Sequence, residues 1–243
     1  MAHLIPNEDF EKLFQSGGIT VTAEQYGAFE RYAGLLCEWN GKMNLTAITD
    51  PGGIAVKHFF DSIYPFTLLP PGEGASLIDV GTGAGFPSIP MGIMRPDLRL
   101  TLLDSLNKRL SFLGEVCGQL GLEARLIHGR AEEQGRSVKG GNSLRESFDI
   151  ATARAVANLR ELSEYCLPFV KADGRFYALK GKDGEAELKE AGNAIKTLGG
   201  EVELCKPYAL PGGDSRVLIV IRKSKPTPDK YPRNAGQMKK KPL

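Results

Sequence analysis

The chain has 243 residues, 42% hydrophobic and 25% charged, with a net charge of +2. These ordinary values supply enough apolar material for one large domain with a small appendage and exclude a disordered or fibrous chain. No apolar run approaches the ~18–20 residues that cross a bilayer, and the N-terminus lacks the basic-then-apolar order of a signal peptide, so a cytoplasmic protein without a membrane partner is expected.

The first 70 residues predict helices. Phe10, Leu13 and Phe14 recur at helical spacing, followed by Tyr26, Phe29, Tyr32, Ala33, Leu36 and Cys37. Thr22 and Gln25 suit a capping box at the start of this second helix. A further helix, from Ile54 through His58 to Tyr64, is expected to stop near Pro65. Residues 70–74, Pro-Pro-Gly-Glu-Gly, read as a linker.

From Ala75 strands alternate with helices. Strands are expected at 76–80, 99–104, 125–128, 148–152 and 175–179, with helices over 87–94, 108–120, 159–170 and 185–198. Gly121 is a natural C-cap for the second of these. Two last strands, 202–205 and 216–221, follow each other without a helix and suggest an antiparallel edge hairpin. Residues 135–147 are rich in Gly, Ser and Asn and predict a mobile loop. The expected fold is therefore α/β, a doubly wound, mostly parallel, seven-stranded sheet. Its expected parts are an N-terminal helical extension (1–73), a central ligand-binding domain (74–222) and a basic C-terminal tail (223–243).

The most informative segment is the turn Asp79-Val80-Gly81-Thr82-Gly83-Ala84-Gly85, directly after the first strand. Glycines there allow positive φ and close approach of a ligand to the backbone, at the strand end where open α/β sheets bind ligands. An NAD enzyme would continue to a third glycine in G-x-G-x-x-G spacing, but Phe86-Pro87 follows and narrows the space for a pyrophosphate. Asp79 adds negative charge that suits a sulfonium and ammonium ligand. S-adenosylmethionine fits better than NAD. Asp104, at the end of the second strand, is placed to accept the ribose hydroxyls, or else to cap the next helix. Ala131 and Glu132, after the third strand, lie where the adenine edge would sit; their alternative role is a solvated helix start.

The end of the fourth strand bears on the acceptor. The Asn/Asp-Pro-Pro-aromatic motif of enzymes that methylate adenine amino groups is absent; Ala153-Arg154-Ala155-Val156 stands there instead. No Pro-Cys nucleophile exists, and Cys166 falls inside a helix. The cysteines (Cys37, Cys117, Cys166, Cys205) and histidines (His3, His58, His128) are scattered, so neither a metal site nor disulfides are expected. Charge is unevenly spread: residues 222–243 carry eight cations against the single Asp229, a net +7, which leaves −5 on the remaining 221 residues. Such a tail suits a polyanion or is simply solvated. A methyltransferase acting on protein or a small molecule, a non-catalytic RNA-binding module and, more distantly, an NAD enzyme remain open at this point.

Over nearly its whole length the chain resembles the bacterial ribosomal RNA small subunit methyltransferase G family, also called glucose-inhibited division protein B. The matching runs are Trp39-Asn40 with Asn44-Leu45-Thr46, His58 with Asp61-Ser62, and Asp79 through Pro87. Then come Gly129-Arg130-Ala131-Glu132-Glu133, Ala153 through Val156, Lys180-Gly181 and Tyr231-Pro232-Arg233. Ser88, Met91 and Asn234 depart from the family's usual residues. The resemblance implies a Rossmann-like class I methyltransferase that uses S-adenosylmethionine and methylates N7 of a guanine, position 527 in the 530 loop of 16S rRNA. It implies cofactor contacts at Gly81, Phe86, Ala131, Glu132 and Arg154, beside the expected Asp79, Gly83, Gly85 and Asp104. No catalytic acid or base is identified; Arg154 is the one candidate. RNA contacts are expected at His58, Lys180, Arg216, Lys223 and Arg233, in a protein that acts as a monomer.

Overall fold

The computed structural model describes residues 3–137, 144–154 and 156–243. Short apolar strands assemble one seven-stranded sheet in the order β3-β2-β1-β4-β5-β7-β6. These are β1 (Ser76–Val80), β2 (Arg99–Asp104), β3 (Ala124–His128), β4 (Phe148–Arg154), β5 (Val170–Lys180), β6 (Gly200–Ala209) and β7 (Ser215–Lys223). The first five strands pair in parallel, whereas β7 is antiparallel to both β5 and β6. The expected edge hairpin exists, with β7 slotted inside and β6 at the edge. The order in which successive strands are added reverses between β1 and β4, the switch point where such sheets open a ligand crevice.

The N-terminal helices are α1 (Asn7–Gln15), α2 (Ala23–Met43), α3 (Pro51–Gly53), a π-helical stretch (Ile54–Phe60) and α4 (Asp61–Leu68). The capping box forms at α2: Thr22 Oγ1 accepts from Gln25 N–H at 3.2 Å, and Gln25 Oε1 accepts from Thr22 N–H at 2.9 Å. Asn44 ends α2 in the left-handed conformation, and Asn40 Oδ1 accepts from the Thr46 N–H. This fixes the corner between α2 and α3. Phe10, Phe14, Phe29, Phe59 and Tyr32 interlock with ring centroids 4.4–6.4 Å apart. Each such pair adds ~0.5–1.5 kcal/mol beyond its area. The same cluster takes in residues of α5 (Ser88–Met94) and α6 (Asn107–Leu120), so these helices share one core with that face of the sheet. After α7 (Ala131–Gln134), α8 (Leu159–Cys166) and α9 (Gly184–Thr197) cover the opposite face. Gly121 caps α6 with φ 64°.

Two expectations need correction, and one of the two open readings of the tail falls away. The helix expected to stop at Pro65 runs through it to Leu68; only one donor is lost, and Pro65 is buried. The helix expected over 159–170 ends at Cys166. Pro168 removes a donor, and Val170 already pairs with Phe148 as the first residue of β5. The tail is not a solvated end, because Thr227, Tyr231 and Met238 are buried and a last helix, α10 (Ala235–Lys240), packs back on the body. The loop expected over 135–147 falls in part on residues 138–143, outside the described residues.

Candidate active site

Two hollows open at the carboxyl ends of the parallel strands. The first, of about 430 Å³, is lined by Gly81 after β1, Asp104 at the end of β2 and Ala131 and Glu132 after β3, with Val156 and Tyr165 from the β4 side. That volume lies in the range of small-molecule sites. Gly81 has φ 71°, and a Cβ there would sit 3.0 Å from the Val156 side chain. Both the backbone conformation and the space demand glycine. Asp104 is 2% exposed and bridges the turn to the next helix. Its Oδ2 accepts from Gly83 N–H at 2.9 Å and its Oδ1 from Leu106 N–H at 2.9 Å, with Arg109 Nη1 at 3.4 Å.

The other turn residues serve the hollow from behind. Gly85 has φ 95°, and a Cβ would lie 2.6 Å from Ile89 and 2.9 Å from the Tyr32 hydroxyl, which donates to the Ala84 carbonyl. Gly85 therefore lets the N-terminal helices close on the turn. Gly83 contributes its N–H. Asp79 is fully buried beneath the turn, where Thr82 Oγ1 donates to its Oδ2 at 2.8 Å and Ser88 lies close enough to lower its pKa. This corrects the expectation of a charge facing the ligand. Burial pushes its pKa up to about 7 against the Thr82 hydroxyl, which lowers it. Because the folded protein keeps a proton that the unfolded chain releases near pH 4, stability falls as pH rises from about 4 to about 7. Asp79→Asn is expected to remove that fall, on the order of 3 kcal/mol. Urea unfolding at pH 5 and pH 7.5 measures it, and an equal pH dependence in both proteins contradicts the assignment.

The second hollow, of about 370 Å³, lies beyond the end of β4 and is lined by Lys57, His58, Asp61, Arg154, Lys180 and Arg216, among others. π-helical turns are rare and frequently fall at functional sites, and this one carries Lys57 and His58 into the wall. The Phe86 ring, 7% exposed, stacks on His58 at 4.5 Å and lies 4.8 Å from the Arg154 guanidinium carbon. Arg154 Nη1 donates to the Lys57 carbonyl at 3.1 Å and to Ser62 Oγ at 3.4 Å, and pairs with Asp61 at 3.6 Å. Burial draws its pKa below the ordinary guanidinium value and Asp61 opposes that. Asp61 also accepts from Tyr208 Oη at 3.0 Å and Arg216 Nε at 3.1 Å. Composition alone gave Asp61 no role; Tyr208 and Arg216 stand 147 and 155 residues away.

The expected RNA-contacting residues are differently disposed. His58 is buried, bonded to Thr46 Oγ1 at 2.8 Å through Nε2, and pushed down to about 3 by burial and by Arg154. It is therefore neutral and not a cationic phosphate ligand. Lys180 Nζ donates to the Ala157 carbonyl at 2.8 Å and pairs with Glu187 at 2.8 Å, and Glu187 accepts from Leu159 N–H at 2.6 Å. This pair clamps the segment between the two hollows. Lys223 is 1% exposed, with its amine on the Leu167 carbonyl, Thr227 and Glu146. It presents no charge to a partner. Arg233 forks onto buried Glu164, with Nε to Oε1 at 2.9 Å and Nη2 to Oε2 at 2.7 Å. Arg216, held by Asp61, still borders the second hollow. Thus Gly81, Asp104, Ala131 and Glu132 come together in the first hollow. Arg154, His58, Lys180 and Arg216 gather in the second, with Phe86 behind them. Among the described residues no group of three or more His, Cys, Asp or Glu is placed to hold a metal ion, and no helix is long and apolar enough to cross a membrane.

A glycine turn beneath one hollow, an acid at the end of β2 and an antiparallel β7 place the chain in the Rossmann-like methyltransferase class. It shares its fold with a methyltransferase from Pyrococcus furiosus at 13% identity, TM-score 0.54, over 80% of this chain and 97% of that one. TrmN from Thermus thermophilus is similar at 19% identity and TM-score 0.51, over 70% and 53% of the two chains. The family model described as rRNA small subunit methyltransferase G matches residues 25–210. Ribosomal RNA small subunit methyltransferase G of Brevibacillus brevis is 47% identical over 97% of this chain and 98% of that protein. The Streptococcus pyogenes protein of the same name is 46% identical over 97% and 99%. The chain belongs to the rRNA small subunit methyltransferase G family, and its methyl donor is S-adenosylmethionine. The first hollow fits that donor: it has the volume, a turn that a Cβ would fill and a buried carboxylate at its rim.

Proposed function

We propose that the enzyme methylates N7 of a guanine in 16S rRNA, the position 527 base of the 530 loop, with the donor in the first hollow and the guanine in the second. The observation that carries this reading is the lack of an available strong base around the second hollow, among the described residues. Both Asp61 oxygens are engaged by Tyr208, Arg216 and Arg154. Glu187 is held by Lys180 and the Leu159 N–H, and buried His58 titrates near 3. An acceptor that must lose a proton would be poorly served. Guanine N7 carries a free in-plane lone pair and needs no base. The relatives' names supply the substrate class.

The donor's sulfonium supplies an electrophilic methyl group. The protein's part is positioning. Gly81 admits the ligand to the backbone, Asp104 is set to accept ribose hydroxyls, and Ala131 leaves room for the adenine, with Glu132 beside it. Arg154, fixed over Phe86 by Asp61, Ser62 and the Lys57 carbonyl, shapes the acceptor wall as a positioning residue. Lys57, paired with Asp214 at 2.9 Å, and Arg216, held by Asp61, border this hollow as the cations nearest an incoming phosphate. We further propose that the enzyme works as a monomer. Incubation with labelled S-adenosylmethionine and small subunits from cells lacking this activity tests the substrate class. Label that is released by ribonuclease and resists protease is expected. Label in protein, or none, overturns it.

A further inference from the structure

The C-terminal 21 residues, whose charge alone suited either a polyanion or a solvated end, are built into the protein. Arg233 grips buried Glu164 of α8 with both its fork and its own backbone N–H, the latter at 2.8 Å, and its Nη1 donates to the Lys241 carbonyl at 2.8 Å. That last bond folds the end of the chain back on Arg233. Between these points Asn234 caps α10 by accepting from Gln237 N–H at 2.9 Å, and Met238 is 2% exposed. Upstream, Arg145 donates to the Tyr231 carbonyl at 2.7 Å. The strap ends on the first hollow: Ala235 and Lys239 of α10 form part of its wall, facing the same space as Glu132, Glu161 and Tyr165.

We infer that α10 is a structural part of the donor site, and that Arg233 is the positioning residue that holds it there. The tail then governs affinity for S-adenosylmethionine more than affinity for RNA. The inference rests on the first hollow being the donor site. Its physical basis is that a two-bond Arg–carboxylate fork fixes both distance and orientation, and Glu164, 2% exposed, is a buried charge that is costly to leave without its partner. With the fork removed, α10 loses its main polar tether and the hollow loses a wall. The cations that a phosphate would need are reduced as well, since Lys223 and Arg233 are both consumed internally.

The test compares the full chain with Arg233→Ala, Lys239→Ala and a chain ending at Pro232. Calorimetry with S-adenosylhomocysteine gives donor-site affinity, and kinetics with under-methylated small subunits give KM for each substrate. Arg233→Ala and the shortened chain are expected to bind S-adenosylhomocysteine at least ~10-fold more weakly. KM for S-adenosylmethionine should rise in parallel. For Arg233→Ala, KM for the small subunit and its salt dependence should stay as in the full chain. Lys239→Ala leaves the strap anchored and changes only the wall, so a weakening of about 3-fold or more is expected; it decides the matter should the other variants fail to fold. Affinities within twofold of the full chain for Lys239→Ala and for every other variant that folds overturn the inference. Failure of the full chain itself to bind S-adenosylhomocysteine would instead remove the donor-site reading beneath it.

Discussion

Asp104→Ala is expected to weaken S-adenosylhomocysteine binding by at least ~100-fold, about 2.7 kcal/mol. Two backbone N–H groups, of the half-buried Gly83 and the exposed Leu106, lose their acceptor at once, and the Gly83 donor, shielded in the turn, is the costlier to leave unpaired, at about 1 kcal/mol or more. The glycine turn would relax away from the shape that receives the ligand, and any ribose contact would go with it. Asp104→Asn restores the volume but turns an amide donor toward one of those N–H groups, so it should recover little. Calorimetry with both variants measures this. An affinity within threefold of the unmodified protein would show that the bridge across the turn is not what shapes the donor site.

Asp61→Ala is expected to act on the other substrate. Asp61 is 4% exposed and joins Arg154, Arg216 and Tyr208. Removing it leaves Arg154, whose side chain is 16% exposed, without its counter-charge, a loss on the order of 3 kcal/mol for a largely buried pair. Arg154 keeps its bond to the Lys57 carbonyl but loses the partner that fixes its tilt over Phe86. Turnover should fall roughly 100-fold, while affinity for S-adenosylhomocysteine stays within threefold, because Asp61 is not among the residues lining the first hollow. Asp61→Asn keeps an acceptor for Tyr208 without the charge and should fall between. Unchanged turnover, or a loss of donor affinity as large as the loss of turnover, would contradict this division of labour.

Much of the fold could be read locally. Short apolar runs alternating with helical stretches marked the strands, Thr22 with Gln25 marked a helix start, and Gly121 marked a helix end. What escaped depended on distant partners. Lys223 looks like the first residue of a basic tail, yet it is the last residue of β7, and the carbonyls that receive its amine belong to Leu167 and Val170. Arg233 looks like one more cation until Glu164, 69 positions earlier, is placed beside it. Tyr231 and Met238, apolar residues in a charged stretch, were the visible sign that the tail packs. Pro168 was the sign that α8 ends early. Within the site, the glycine turn, Asp104, Ala131 and Glu132 were legible because each follows its own strand. Asp61 was not, since its meaning comes from Tyr208 and Arg216 at the far end of the chain. The resemblance to the family, by contrast, rested on short runs spread over nearly the whole length, and the match across 97% of the chain bears it out.

The nature of the acceptor atom is the most direct point of attack. Small subunits from cells lacking this activity, treated with the purified enzyme and labelled S-adenosylmethionine, would be digested to nucleosides and their RNA mapped. The expected result is a single labelled product, 7-methylguanosine, at one position in the 530 loop. Label on an exocyclic amine, on a ribose or at several guanines would contradict an acceptor hollow that offers shape and no base.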